Sequence, residues 1–440
     1  DVPAERLVQA ATVLGRADRA MYLHARGAEQ HVTGTRNVLA LINLALARGH
    51  VGRPGCGIDM LTGQRNGQGG REMGQRADQL PGARSVSDPH HRRAVAEAWG
   101  VPVEDLPTRP GLTYVEVLEA AHDGDVRGLL TISTNPAVSA PDLTWAERAL
   151  DRLDHLVVID PFFSESCRHA SVVLPGTTFG EEDGTITTIE GRVVRVDQAV
   201  PPVPRRGDID VLRNLANRLG VGRHFAFATG REVFEELRQV SAGAPADYAG
   251  MTWDALRDRG GIFWPCPTEG HPGTPRLYTD RFAHPDGRAR LHPVHWEPPP
   301  EPTDDTHPYV LTTGRVLAHY LSGNQTRRIP EQARRAPVPV AELHPDLAAA
   351  VGVGVDEQVR LTSPHGSVTV DWTANPGLRG DTIFLPYHWP VANRLTGRRL
   401  DPTSGIPGFK HTPVSVVAAR PGSAPVAEDR EPGPVATSTW

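Results

Sequence analysis

Apolar positions recur at helical spacing over residues 3–17, with Leu7, Ala10, Ala11 and Leu14 on one face and Gly15 closing the run. A short apolar stretch at 20–23 reads as a buried strand. Residues 37–47 are apolar at helical spacing up to Gly49, a residue suited to stopping a helix. Helices at 88–99 and 114–122 lead into a strand at 128–133. The alternation continues with a helix at 143–153, strands at 155–160 and 170–174, and helices at 209–219 and 232–239. Helix and strand signals at this spacing predict βαβ units and a parallel sheet covered on both faces.

The pattern changes from about 241 to 308, where Pro and Gly are frequent and Trp253, Trp264 and Trp296 appear. The proline cluster in 297–302 reads as a linker. Beyond it the signals are β: 309–313, 358–361, 367–371 after the turn Ser363-Pro-His-Gly366, 382–385 and 414–419. Short strands joined by turns over this length predict a small barrel. Residues 421–440 are rich in Pro, Ala, Ser and Glu and are expected to be disordered.

Composition narrows the function classes. The 440 residues suit two or three domains, and 39% hydrophobic content with a net charge of −6 describes a folded globular chain with no basic surplus for nucleic acid. No window reaches about 18 apolar residues, so no membrane span is expected. Cys56, Cys167 and Cys266 are far apart in sequence and lack a Cys-x-x-Cys, so no disulfide framework, zinc site or iron–sulfur site is assigned to them. A single lysine, Lys410, stands among 46 lysines and arginines. It is either a survivor of coding bias or a site where a compact ammonium cannot be replaced by guanidinium.

Candidate chemistry lies at strand ends and in one glycine-dense segment. Residues 52–84 are long, polar and glycine-rich and contain Gly70-Arg71-Glu72-Met73-Gly74. They form either a surface loop or a backbone that approaches a ligand closely. Thr134 and Asn135 follow the strand at 128–133, and Asp160 ends the next one. Ligands bind outside such strand ends in open α/β sheets, although these residue types serve equally in turns and helix caps. The acidic segment at 181–185 could likewise be a solvated hairpin. Thr313, Gly314, Arg315 and His319 follow the first C-terminal strand and suit a phosphate or pterin edge.

The segments LTGQRNGQGGREMG, TNPAVSAPDL, VVIDPFFSES, VLPGTTFGEEDGTITTIEGR, LTTGRVLAHYLSGNQTRR and DPTSGIPGFK, in this order, resemble the molybdopterin oxidoreductase family over about residues 5–419. Within it the GGREMG block is similar to that of assimilatory nitrate reductase catalytic subunits, whereas formate dehydrogenases typically carry Cys-Asp-Met-Gly there. The resemblance implies an α/β fold with Rossmann-like parallel layers and a C-terminal double-psi type β-barrel. It implies a first cofactor-binding block at 1–75, a second, guanine-nucleotide-binding block at 76–296, and a dinucleotide-binding barrel at 305–420.

It also implies two molybdopterin guanine dinucleotides holding molybdenum. Arg26 and Gln30 would contact one of them. Asn135, Asp160, Glu182 and Asp208 would line a guanine pocket. Thr313, Gly314, Arg315, Val316, His319, Ser322, Asn393 and Lys410 would wrap the pterin and phosphates. Tyr387 would face a substrate channel, and Arg71 would attract the anion, unless it serves a structural salt bridge. The implied reaction is nitrate to nitrite by oxygen-atom transfer. A ferredoxin, a flavodoxin or an NADH-linked subunit would donate electrons in the cytoplasm. Family members begin with a [4Fe–4S] domain and a segment supplying a molybdenum ligand. Neither is found in this sequence, so the chain is expected to be the C-terminal portion of such an enzyme and inactive alone. A formate dehydrogenase of the same family, or a cofactor-free scaffold relative, are the alternatives.

Overall fold

The computed structural model describes residues 2–204 and 206–420; the tail expected to be disordered lies outside the described residues. The first helix, Ala4–Arg16, buries none of its side chains. It leads to β1 (Met21–His24), the helix Gly34–Ala47 and β2 (Gly57–Met60), and β1 and β2 pair in parallel, Met21 opposite Gly57. The glycine-rich segment is therefore not one long loop. It contains β2, the short helix Gly67–Glu72 and an antiparallel pair, β3 (Gln79–Leu80) and β4 (Arg84–Ser85). These elements are too short for periodicity to reveal them.

The next helices start and stop where local chemistry dictates. Asp88 accepts hydrogen bonds from the backbone N–H groups of His90 (2.7 Å) and His91 (3.3 Å), Pro89 opens the helix Pro89–Trp99, and Gly100 closes it at φ 62°. The helix Tyr114–Asp123 begins with a capping box, in which Glu116 accepts from the Thr113 N–H at 2.7 Å. It packs with the helix Leu143–Asp151 on a parallel sheet of β5 (Gly128–Ile132), β6 (His155–Asp160) and β7 (Val172–Pro175). Leu118, Leu143, Leu150, Leu156 and Val158 form the core of that layer.

The expectation of mainly parallel strands before the linker fails for the next sheet. β8 (Gly184–Thr187) and β9 (Arg192–Val196) are an antiparallel hairpin, and β10 (Ile262–Phe263) adds antiparallel to β9. The connection Thr188–Gly191 is too short for a crossover, and Gly191 takes φ 83° within it. Part of the Pro- and Gly-rich stretch is also core: Tyr248, Met251, Trp253, Leu256, Ile262 and Cys266 pack with Val193 and Phe234.

The C-terminal strands are β11 (Tyr309–Gly314), β12 (Val340–Leu343), β13 (Gln358–Ser363), β14 (Gly366–Ala374), β15 (Thr382–Pro386) and β16 (Thr412–Ala419). They close into a barrel in the order β11-β15-β12-β14-β13-β16, with β11–β15 and β12–β14 parallel and the other pairs antiparallel. The sequence pattern did not reveal β12, a four-residue strand. Leu311, Leu343, Leu361 and Ile383 are fully buried inside, each favouring folding by about 1.5–3 kcal/mol.

Polar contacts seat the barrel on the α/β layers. Arg394 meets Glu147 through two bonds (2.8 and 3.0 Å), Arg327 donates to Glu165 (2.6 Å), and the Asp142 N–H donates to the Thr396 carbonyl (2.9 Å).

Candidate active site

A cleft of about 300 Å3 lies where the barrel meets the α/β layers. Arg26, Gln30, Asn135, Thr313, Arg315, Ser322, Tyr387 and Asn393 line it, from segments that the sequence separates by up to several hundred positions. Gln64, Ser133, Thr134 and Phe409 join them. Ser133 at φ 49° and Leu321 at φ 46°, both cleft residues, are non-glycine residues in the left-handed region. Such conformations persist where surrounding structure enforces them and concentrate at functional sites. The strand-end position of Ser133 was a sequence signal; Gln64 and Phe409 offered none beyond lying in motif segments.

The barrel side is built around Lys410. Its ammonium donates to the Thr313 carbonyl at 2.5 Å and stands 5.7 Å from the Tyr387 ring centroid. Thr313 Oγ1 donates to the Phe409 carbonyl at 2.9 Å, and the Lys410 N–H donates to the Gln30 carbonyl at 3.2 Å. Burial, and then the charge of Arg315, pull the Lys410 pKa down to about 8. Arg315 Nε donates to the Tyr387 hydroxyl at 2.6 Å. The Arg315 guanidinium crosses so close to Gly63 that a Cβ there would lie 1.9 Å from Nη2. The glycine lets the guanidinium lie against the backbone there. Asn393 is buried; its Nδ2 donates to the Val138 carbonyl at 2.8 Å and its Oδ1 has no partner.

The residues expected to share a guanine pocket lie along the carboxyl ends of the adjacent strands β5, β6 and β7. Asn135 lies in the cleft wall, where Nδ2 donates to Glu165 (2.7 Å) and Oδ1 accepts from Ser166 Oγ (2.7 Å). Asp160, at the end of β6, and Asp208, bonded to Thr177 just past β7, are neighbours, both pushed up in pKa chiefly by burial. Asp160 accepts from Phe162 N–H (2.9 Å) and from Asn324 of the barrel (3.1 Å), and Asp208 accepts from Thr177 N–H (3.1 Å). Thr177 Oγ1 is buried without a partner. Glu182 accepts from the Asp208 N–H at 2.6 Å, so it caps the helix Asp208–Arg218.

The remaining expected residues do not line the cleft. His319 is buried and occupied, with Nδ1 3.1 Å from Thr326 Oγ1 and Nε2 2.7 Å from the Ala336 carbonyl. Gly314 ends β11 beneath Phe384, whose ring a Cβ would meet at 2.3 Å. Val316 N–H donates to His388 Nε2 (3.0 Å), and His388 Nδ1 lies 2.6 Å from the Leu321 carbonyl. No sequence signal pointed to His388, although it pins the loop on which Arg315 and Ser322 sit. Its imidazole is fully buried, and burial pulls its pKa down to about 4.

Arg71 is half-buried near the cleft residue Arg26. Arg26 is paired with Glu29 at 2.5 Å, and His24 lies 3.0 Å from the same carboxylate. Burial, followed by the charges of Arg26 and Arg76, disfavours the Arg71 cation. Its guanidinium forms no direct hydrogen bond or ion pair among the described residues, although the carboxylates of Glu29 and Glu72 favour its charge at longer range.

Residues 9–218 match the Molybdopterin oxidoreductase family and residues 309–413 match the Molydopterin dinucleotide binding domain. The chain belongs to the molybdopterin oxidoreductase family. It is 42% identical over 416 residues to the assimilatory nitrate reductase catalytic subunit of Bacillus subtilis, covering 93% of this chain and 58% of the relative. It is 35% identical to an F420-dependent formate dehydrogenase alpha subunit of Methanococcus maripaludis (93% and 60%) and 32% identical to a nitrate reductase of Synechocystis (94% and 60%). The chain thus spans about three fifths of these relatives. The fold resembles acetylene hydratase from Pelobacter acetylenicus, with a TM-score of 0.56 and 17% identity over 74% of this chain and 50% of that one.

The buried, unpartnered Asn393 Oδ1, in the wall of a cleft that holds guanidinium groups next to the Lys410 ammonium, suits an anionic, hydrogen-bonding dinucleotide. Among the described residues no group of three or more His, Cys, Asp or Glu side chains is arranged to hold a metal ion, and no helix is long and apolar enough to cross a membrane.

Proposed function

We propose that the protein containing this chain reduces nitrate to nitrite, using molybdenum held by two molybdopterin guanine dinucleotides. The observation that carries this is the cleft, where Arg26, Gln30, Asn135, Thr313, Arg315, Ser322 and Asn393 converge with an orphaned acceptor and a half-buried lysine at hand. The bound cofactor supplies the redox chemistry. The chain's residues bind and orient it: Arg26, Arg315 and Lys410 offer cationic donors, and Asn393 an amide. Asp160 and Asp208 offer carboxylates to the guanine. Arg71 steers and holds the anion, because a guanidinium binds a planar oxyanion through paired hydrogen bonds.

A [4Fe–4S] cluster and the molybdenum ligand would come from outside these residues. Electrons would come from a ferredoxin, a flavodoxin or an NADH-linked subunit in the cytoplasm, and the 440 residues alone would turn over no nitrate. A formate dehydrogenase is the second reading, supported by the relatives of 35% and 34% identity.

The test is the intact protein purified with its upstream sequence, assayed with reduced dye and nitrate and, separately, with formate and an oxidised dye. Arg71→Ala should raise KM for nitrate about ten- to a hundredfold, corresponding to about 1.5–3 kcal/mol, with molybdenum content unchanged. Formate oxidation without nitrate reduction would overturn the nitrate assignment. Parallel loss of molybdenum and activity in Arg71→Ala would overturn the role of Arg71.

A further inference from the structure

The helix Gly67–Glu72, which carries Arg71, is lashed from behind by residues of the neighbouring antiparallel sheet and its core. Glu72 is 6% exposed, and its Oε2 accepts from Thr187 Oγ1 at 3.1 Å and from the Tyr248 hydroxyl. The Thr187 hydroxyl lies 2.8 Å from the Tyr248 hydroxyl, closing a triangle. At the other end of the same helix, Asn66 Oδ1 accepts from the Thr187 N–H at 2.9 Å. One strand residue therefore holds both ends of the helix.

Gly69 leaves room for this close approach. A Cβ at Gly69 would lie 2.3 Å from Asn66 Oδ1 and 2.8 Å from Thr187 Oγ1. The Glu72 carbonyl also accepts from the Ala83 N–H at 2.7 Å. Burial raises the pKa of Glu72, while Tyr248, Gln68, Thr187 and Trp264 favour its ionised form. Trp264 Nε1 and Glu72 Oε1 are both buried without a partner in hydrogen-bonding geometry. Tyr248 itself is packed against Phe234 in the core, so its hydroxyl is a fixed point.

We infer that Glu72, Thr187 and Tyr248 form a positioning clamp that fixes the short helix so that Arg71 meets the substrate oxyanion in the correct place. The inference rests on Arg71 being the anion-binding residue. A helix of this length has little stability of its own, so its placement comes from tertiary contacts. A displacement of about 1 Å in a positioned group is enough to weaken a catalytic interaction strongly.

The test is nitrate binding to the intact, oxidised protein without an electron donor, followed by calorimetry, with molybdenum and guanine nucleotide measured on the same samples. Tyr248→Phe keeps the packed ring and removes only the hydroxyl. It should weaken nitrate binding on the order of tenfold, the size of an ordinary coupling between contacting residues, with cofactor content unchanged. Thr187→Val should do the same and Thr187→Ser should restore binding. In an Arg71→Ala background Tyr248→Phe should cost nothing further, because the clamp acts only through Arg71. If Arg71→Ala leaves nitrate binding intact, the anion-site reading fails. If Arg71→Ala weakens binding but Tyr248→Phe does not, or if the two losses add in full, the clamp is overturned while the anion site stands.

Discussion

Lys410 is a charge partly withdrawn from water, and its cost to the fold can be measured. Burial and the neighbouring Arg315 lower its pKa from 10.5 to about 8. At pH 7 the amine is charged in both the folded and unfolded chain, and only the folded chain bears the desolvation. Between about pH 8 and 10.5 the folded chain has released this proton while the unfolded chain still holds it. The unfolded state then binds more protons, so stability rises with pH across that window. The difference between 10.5 and about 8 corresponds to about 3 kcal/mol. Lys410→Met keeps the length of the side chain and removes the charge. It also removes the hydrogen bond to Thr313, worth about 1.5–3 kcal/mol, so the variant and the parent should differ little at pH 7. Urea unfolding at intervals from pH 7 to 10.5 should show the parent gaining about 3 kcal/mol relative to Lys410→Met. Subtracting the variant removes the contribution of tyrosines and cysteines that titrate in the same range. Parallel curves for the two proteins would refute the assignment of a half-buried, charge-disfavoured amine.

Three further outcomes follow from the same geometry. Lys410→Arg should lower molybdenum and guanine nucleotide content, since overpacking a confined site costs about 1–3 kcal/mol, and full occupancy would show that the lysine is a leftover of coding bias. His388 should titrate near 4 in nitrogen NMR with its proton on Nδ1 at pH 6, because Nε2 accepts from Val316 and Nδ1 faces the Leu321 carbonyl; titration near the ordinary histidine value would refute this. Asp401, 2% exposed, accepts from Thr35 N–H (3.0 Å), Thr35 Oγ1 (2.7 Å) and the Ser404 N–H (2.8 Å), so Asp401→Ala should destabilise the protein by about 2–3 kcal/mol in urea unfolding.

Much of the fold was legible because its signals are local. The helices Pro89–Trp99 and Tyr114–Asp123 carry their own caps and glycine stops, and β5 and β6 are continuous apolar runs of the kind a covered parallel sheet requires. The barrel followed from short strands and turns, except β12, whose four residues leave too little periodicity. The sequence also marked Lys410 as unusual and placed most of the cleft residues in motif segments. What it could not determine depends on contacts between distant residues. Only the tertiary structure turns His319 toward Thr326 and Ala336 and brings Thr187 and Tyr248 onto Glu72. Composition along 52–84 cannot distinguish a loop from a helix that exists because another sheet grips it. Arg71 and Glu72 are adjacent in sequence, yet one is an unpaired cation and the other a buried clamp residue. Their different surroundings, not their order in the chain, set that difference.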